Sequence, residues 1–333
     1  MGLLVFNDNG IYCEKADVYI DPWRAVKRAL ITHGHSDHSR YGHSSYLCQK
    51  DAAPAIQHRI PKASIQTVAY GAPLSINGVQ FSFHPAGHII GSSQIRVEYQ
   101  GEVWVVSGDY KLHSDGISTP FEPVVCHHFI TESTFGLPVY RWPKQAEVVK
   151  EIEQWWELNA LSGRTSVICA YSLGKAQRIL RQLVSGIGPI YTHGAVEDLN
   201  DVIRNQGIYL PPSRRATEEN NKKAFEKALV ICPPSAIGTA WFKRFNRPVV
   251  AMASGWMAIR GNRRRRAADR GFIMSDHADW FELNEAVGAT KAENIYVTHG
   301  FADVFARWLR EEKQLNASTV HTLYEGESVI DDY

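Results

Sequence analysis

THGHSDH, residues 32–38, sets three imidazoles and a carboxylate within seven positions, with a glycine between the first two histidines. Helical neighbours sit three or four residues apart, so His33, His35, Asp37 and His38 cannot share one face of a helix. A tight loop eased by Gly34 can turn all four inward. Burying so many polar side chains unpaired is costly, and a bound metal ion is the reading that repays it.

Working outward, the same pattern returns at other apolar segments. RALITH (28–33), EVWVVSGD (102–109) and IYVTHG (295–300) each read as a strand that ends on a metal-type ligand. HPAGHIIGS brings His88 and FIMSDHADW brings His277. Strand ends on one sheet edge converge, so ligands remote in sequence can meet. About seven such ligands exceed what one tetrahedral ion takes, and two ions sharing a carboxylate would use them. The remaining histidines, including His43, His193 and His321, read as structural or surface groups.

The rest of the chain frames that site. It has 333 residues, 44% hydrophobic and 21% charged, the range of a globular protein with a sizeable core. Its net charge of +1 announces no polyanionic partner. The five cysteines are scattered and form no C-x-x-C pair, which argues against a disulfide framework or thiolate metal site. No apolar run is long enough for a membrane span, and the N-terminal residues lack a basic signal region, so a cytoplasmic location without membrane attachment is expected. VYI (18–20), VQFSFHP (79–85), SQIRVEY (93–99) and CHHFITES (126–133) read as further strands, with hairpin turns at Asn77-Gly78 and Gln100-Gly101. After Pro138 the pattern becomes alternating α and β. Helices are predicted over 145–159, 173–183 and 195–207, and strands over 165–171, 228–234 and 248–254.

Taken in order, the motifs resemble those of the metallo-β-lactamase fold, and specifically its β-CASP nuclease branch. Asp21 in YIDP, H-x-H-x-D-H (33–38), A-G-H-x-x-G-S (86–92) and S-G-D (107–109) resemble the four motifs of the fold. E-S-T-F-G (132–136), S-D-H-A-D-W (275–280) and T-H-G (298–300) resemble motifs A, B and C of the branch. The opening GLLVFNDNGIYC, FITESTFGLP and RRRRAADRGFIMSDHADW are most similar to the bacterial ligase-associated DNA damage response exonucleases, relatives of the SNM1-type nucleases. The resemblance implies an α/β architecture: a metallo-β-lactamase αββα sandwich (residues 1–136 and 272–333) carrying an inserted α/β β-CASP domain (137–271). It implies an insert that closes over the metal edge.

By the same resemblance, two divalent ions, zinc or manganese, are expected per chain. His33, His35 and His88 would hold one; Asp37, His38 and His299 the other; Asp109 would bridge them. Asp21 would orient a ligand histidine. His277 would serve as general acid with Glu132 as its orienting partner, and Asp37 is counted with them among the catalytic groups. The implied activity is a metal-dependent DNA exonuclease, 5′→3′ on single strands or overhangs, with a water ionised between the cations as nucleophile. An ATP-dependent DNA ligase and a helicase are the implied functional associates. Backbone phosphate contacts are expected from Arg263, Arg264, Arg265 and Arg266, and from Lys111 and Lys175. Ser172-Leu173-Gly174-Lys175 lacks the spacing of a Walker A loop and reads as a plain helix cap. Trp256 reads as a core aromatic or a base-stacking one.

Three other readings stand beside this one. An RNA-processing nuclease of the same branch would keep every ligand, and His299 in motif C is typical of such enzymes. A small-molecule metallo-hydrolase would share the H-x-H-x-D-H loop without needing Glu132, His277 or the middle block. A non-catalytic scaffold would have lost ligands. S-G-W (254–256) resembles the DNA-acting enzymes, whereas H-A-D-W in motif B departs from their serine-rich form.

Overall fold

The computed structural model describes residues 2–183, 186–259, 261 and 268–324; Arg263–Arg266 lie outside them. Among the described residues the chain folds into two compact units, 2–140 with 276–324, and 141–275.

The first unit is built from two sheets. In one, Val5–Asn7, Gly10–Cys13, Val18–Ile20, Arg28–Ile31, Ser45–Gln49 and Ile65–Val68 lie in chain order. In the other the order is Asn316–Thr319, Asn294–Gly300, His128–Ser133, Glu102–Val106, Ser93–Tyr99, Val79–Pro85 and Leu74–Ile76. Alternation decides which side chains meet. Val79, Phe81 and Phe83 point one way along their strand and pack with Ile95, Val97, Trp104 and Val106, against Ile11, Val18, Ile20 and Leu30 of the facing sheet. Strand Glu102–Val106 is buried on both faces: Val103 and Val105 turn outward, where Leu283, Val287, Phe305 and Leu309 cover them. Those four come from helices Trp280–Thr290 and Ala302–Glu311. The outer face of the first sheet, through Ala29, Ile31, Tyr46 and Cys48, packs on Ile56 of helix Ala53–Arg59. Helix, sheet, sheet, helix is the layer order of the metallo-β-lactamase sandwich.

Two hairpins follow the turn chemistry. Asn77 and Gly78 have φ of 50° and 84°, Gln100 and Gly101 of 49° and 85°, and the flanking pairs Ile76–Val79 and Tyr99–Glu102 close two-residue loops. Positive φ at both central positions matches the right-handed twist of the strands they join.

The second unit has a parallel sheet in the order Arg214–Arg215, Ile190–Thr192, Leu229–Cys232, Ser166–Cys169, Val249–Ala253 and Arg270–Phe272. SVIC and LVIC are buried along their whole length, the continuous apolar run of strands covered on both faces. Helices Gln145–Leu161, Lys175–Gln182 and Gly194–Asn205 belong to this unit. His193 caps the last of them, its Nδ1 accepting the Ala195 N–H at 3.1 Å. Gly174 stands before the helix of Lys175, where the Gln177 side chain accepts the Gly174 N–H at 2.8 Å. Trp256 is buried, 8% exposed. All five cysteines are buried thiols. No helix among the described residues is long and apolar enough to cross a membrane.

One histidine outside the ligand motifs couples the fold to pH. His43 is buried, its Nδ1 accepts the Val26 N–H at 3.3 Å, and its Nε2 has no partner. Burial lowers its pKa to about 4 from an ordinary 6.5. The unfolded chain therefore takes the proton first. The stability tied to His43 is whole above about 6.5 and is lost as pH falls toward about 4. Thermal melts of His43→Gln should show a shallower loss of Tm across that window than the parent. Parallel curves would assign the acid sensitivity to other groups.

Candidate metal centre

The ligand-type residues gather within the first unit. Strand Arg28–Ile31 delivers Thr32 and the H-x-H-x-D-H loop, and strand Glu102–Val106 delivers Asp109. Strand His128–Ser133 carries Glu132, strand Asn294–Gly300 carries His299, and His277 precedes helix Trp280–Thr290. The AGHIIGS segment reaches the cluster because two glycines let it lie against neighbouring backbone. Gly87 and Gly91 both have φ of +74°, and a Cβ on either would sit 2.1 Å from a backbone atom, Lys111 O and Ala52 N respectively.

Asp109 is the centre, 2% exposed. Its Oδ2 lies 3.5 Å from His33 Nε2, 3.5 Å from His38 Nε2 and 3.8 Å from His88 Nε2. Its Oδ1 lies 3.3 Å from His299 Nε2. His35 Nδ1 is 3.2 Å from His33 Nε2 and 3.1 Å from His88 Nε2. Asp37 Oδ2 is 3.7 Å from His38 Nε2. Two sets of ligand-type atoms therefore share this one carboxylate: His33, His35, His88 and Asp109, then His38, Asp109 and His299.

The donor set fits divalent cations. His38 Nε2, His299 Nε2 and Asp109 Oδ1 are buried with no hydrogen-bond partner, yet they converge on one point. Buried polar atoms are normally satisfied, so three such atoms facing each other mark a place for a cation. Their outer nitrogens are already engaged. His38 Nδ1 donates to Asp21 Oδ2 at 2.8 Å, and His88 Nδ1 donates to the Asp276 carbonyl at 2.8 Å. Those bonds turn Nε2 of each ring toward the centre. Asp21 also accepts the Thr32 N–H at 2.7 Å, and it is held at φ +41°, a backbone region a non-glycine residue enters at a cost.

Electrostatics separate the imidazoles. Burial, followed by the charge of His38, holds His33 well below its ordinary pKa. Burial, then His277 and His35, push His88 down to about 3. For His38 burial works downward too, but Asp109, Asp37 and Asp21 outweigh it and raise it to about 10. His277 behaves likewise: burial opposes its charge, and Glu132 and Asp109 overcome that to raise it to about 10. Burial would raise Asp109, but His38 and His277 hold it well below the carboxylate range.

Beside the centre, His277 Nδ1 bonds Glu132 Oε2 at 3.0 Å, with Asp109 Oδ2 at 4.0 Å. Glu132 is itself fixed, Oε1 accepting the Tyr110 N–H at 2.8 Å and Oε2 the Thr134 hydroxyl at 2.6 Å.

Two expected phosphate contacts are corrected. Lys111 is buried, and its Nζ pairs with Glu282 Oε2 at 3.1 Å and donates to the His277 carbonyl at 3.4 Å. Its charge neutralises a buried carboxylate and steadies the His277 segment. Lys175 is 1% exposed in the first turn of its helix, with Nζ 6.0 Å from the Tyr171 ring centroid. A lysine so enclosed offers no solvent-facing charge.

Two residues escaped the sequence reading. Glu282 accepts the N–H groups of Leu112, His113 and Asp279 besides pairing with Lys111. Tyr324 stacks on His38 with centroids 4.4 Å apart and planes 14° apart, and its hydroxyl donates to the Asp21 carbonyl at 3.0 Å. Glu282 carried a faint signal, as the third residue after Asp279 in a capping-box spacing. A lone tyrosine far along the chain carried none.

The chain is 31% identical over 307 residues to a protein of Opitutus terrae named "Probable DNA ligase", covering 91% of this chain and 30% of that one. It is 24% identical over 238 residues to an "RNase J-like protein" of Methanocaldococcus jannaschii, covering 61% of this chain and 55% of that one. It thus spans less than two thirds of either relative. A crystal structure of a protein of unknown function from Enterococcus faecalis superposes with a TM-score of 0.58 at 12% identity, over 90% of this chain and 79% of that one, and shows the fold alone. No family-level sequence profile matches.

Proposed function

We propose that this chain, with its metallo-β-lactamase sandwich and β-CASP-type motifs, is a metal-dependent phosphodiesterase that acts on nucleic acid, and that its substrate is single-stranded DNA cleaved exonucleolytically from the 5′ end. The observation that carries the reading is the convergence of His33, His35, His38, His88 and His299 on the two oxygens of Asp109, with a second acid–imidazole pair, Glu132–His277, alongside. A small-molecule hydrolase has no use for that second pair. The relative named as a DNA ligase, matched along nearly the whole of this chain, supports DNA. The RNase J-like relative, together with His299, favours RNA as the second reading.

His33, His35 and His88 would hold one cation, and Asp37, His38 and His299 the other, with Asp109 shared. Cations held there supply positive charge for phosphoryl oxygens and acidify water at neutral pH. The protein's own groups do the rest. Asp21 orients the His38 ring through Nδ1. Glu132 holds His277 Nδ1, so the proton for the departing oxygen comes from Nε2. The two carboxylates that raise the His277 pKa keep that proton in place at neutral pH.

Replacing Asp21 by Ala should weaken cation binding about 10- to 100-fold, the usual cost of removing the partner of a ligand histidine, as read by competition with a chelator. Unchanged affinity would leave Asp21 a backbone brace only. Substrate class is tested by a manganese time course on single-stranded DNA and RNA of one sequence, each labelled at the 5′ end and internally. Mononucleotides released first from the 5′ end of DNA support the proposal. Preferred RNA cleavage would replace it with the second reading.

A further inference from the structure

Next to the ligand loop, on the same unit, an open pocket of about 430 Å³ is lined by Trp23, Arg24, Ser36, Asp37, Arg40 and Tyr41. That volume is within the range of pockets that take a small ligand. Ser36 and Asp37 belong to the H-x-H-x-D-H loop, so the pocket opens directly beside the candidate metal centre. Its other walls carry two guanidinium groups and two aromatic side chains, Trp23 and Tyr41. Asp37 is the single acid among these, and its carboxylate is turned to His38.

The cationic and aromatic groups are held in place. Arg40 donates from Nη2 to the Leu323 carbonyl at 2.6 Å and from Nε to the Asp37 carbonyl at 3.2 Å. Tyr41 is 63% exposed, yet its hydroxyl donates to the Arg59 carbonyl at 3.0 Å and the Arg59 guanidinium lies 5.5 Å from its ring centroid. A large exposed ring braced in this way has no core to fill. Trp23 anchors the segment that carries Arg24, its indole N–H donating to the Asp8 carbonyl at 2.8 Å. Arg24 itself is exposed.

We infer that this pocket is a subsite for a nucleotide of single-stranded nucleic acid adjacent to the one being cleaved, with Arg24 and Arg40 on its phosphate and Tyr41 stacked on its base. The inference rests on the nuclease reading and deepens it. Stacking on a ring is tolerant of sequence, and guanidinium groups suit a phosphate's geometry, so the subsite would grip any base. It would align the strand so that the neighbouring phosphodiester reaches the centre.

The test compares the full metal-loaded chain with Arg24→Glu, Tyr41→Ala and Tyr41→Phe. A fluorescein-labelled single-stranded DNA oligonucleotide is the probe, and kcat, KM and the salt dependence of binding are read alongside metal content. Tyr41→Ala should raise KM about tenfold, within the range for loss of one base stack, and Tyr41→Phe should restore it. Arg24→Glu should raise KM by a similar factor and lower the salt slope by about one, with kcat and metal content kept. If the parent cleaves the probe but Arg24→Glu and Tyr41→Ala both keep its KM and salt slope within about twofold, well short of one lost base stack, the subsite is overturned while the nuclease reading stands. If metal content falls with KM, these residues brace the loop, and the subsite is again overturned. If the metal-loaded parent neither binds nor cleaves the probe or an RNA oligonucleotide of the same sequence, the nuclease reading fails and the subsite falls with it.

Discussion

Asp109→Asn should abolish phosphodiester hydrolysis, by about a thousandfold or more, the scale of losing a dominant group that stabilises transition-state charge. The same change should strip the protein of metal. The reason is geometric. Each oxygen of Asp109 faces a different set of imidazoles, His33 and His88 with His38 on Oδ2, His299 on Oδ1. An amide of the same shape keeps one acceptor but loses the charge and turns an NH₂ toward one set. Asp109 is also the group that most raises His38 and, after Glu132, His277. Elemental analysis and a cleavage assay on the same preparation check both parts. Full activity with normal metal content would remove Asp109 from the centre.

His277→Ala should behave differently: kcat falls about 10²- to 10⁴-fold, the usual contribution of a general acid, while metal content stays normal. His277 touches Asp109 only at 4.0 Å and makes its close bond to Glu132. The sign of its pH dependence follows. A general acid works while protonated, so the rate falls as pH rises through its pKa. Burial presses that pKa down, and Glu132 and Asp109 more than compensate. The parent should therefore keep its activity into alkaline solution. Glu132→Gln should draw the alkaline limb to lower pH, and His277→Ala should remove the limb along with the rate. Metal lost in His277→Ala would make it a ligand instead of an acid.

These two residues also show where the sequence was legible. His33, His35, Asp37 and His38 crowd one loop and declare a shared target, and the structure does bring them together with His88, Asp109 and His299. The long strands were readable because apolar alternation at 79–85 and 93–99 and the asparagine–glycine turn between 76 and 79 are local signals. Short strands such as Arg214–Arg215 and Leu74–Ile76 were not, since two or three residues carry no period. Helix Trp280–Thr290 went unread beneath the S-D-H-A-D-W motif. Lys111 misled for a related reason. A lysine after a ligand aspartate reads as a phosphate contact until Glu282, 171 residues on, is seen to claim it. Tyr324 lies 303 residues from the Asp21 carbonyl it bonds, and no spacing rule links them.

The most direct test uses protein stripped of metal by a chelator. Manganese or zinc is restored stepwise while bound ions are counted by native mass spectrometry and a 5′-labelled DNA single strand is followed. Close to two ions per chain, with cleavage absent before addition and rising as the second ion binds, is the predicted result. Cleavage that persists in the stripped protein, or two bound ions with neither DNA nor RNA cut, would contradict a metal-dependent nuclease.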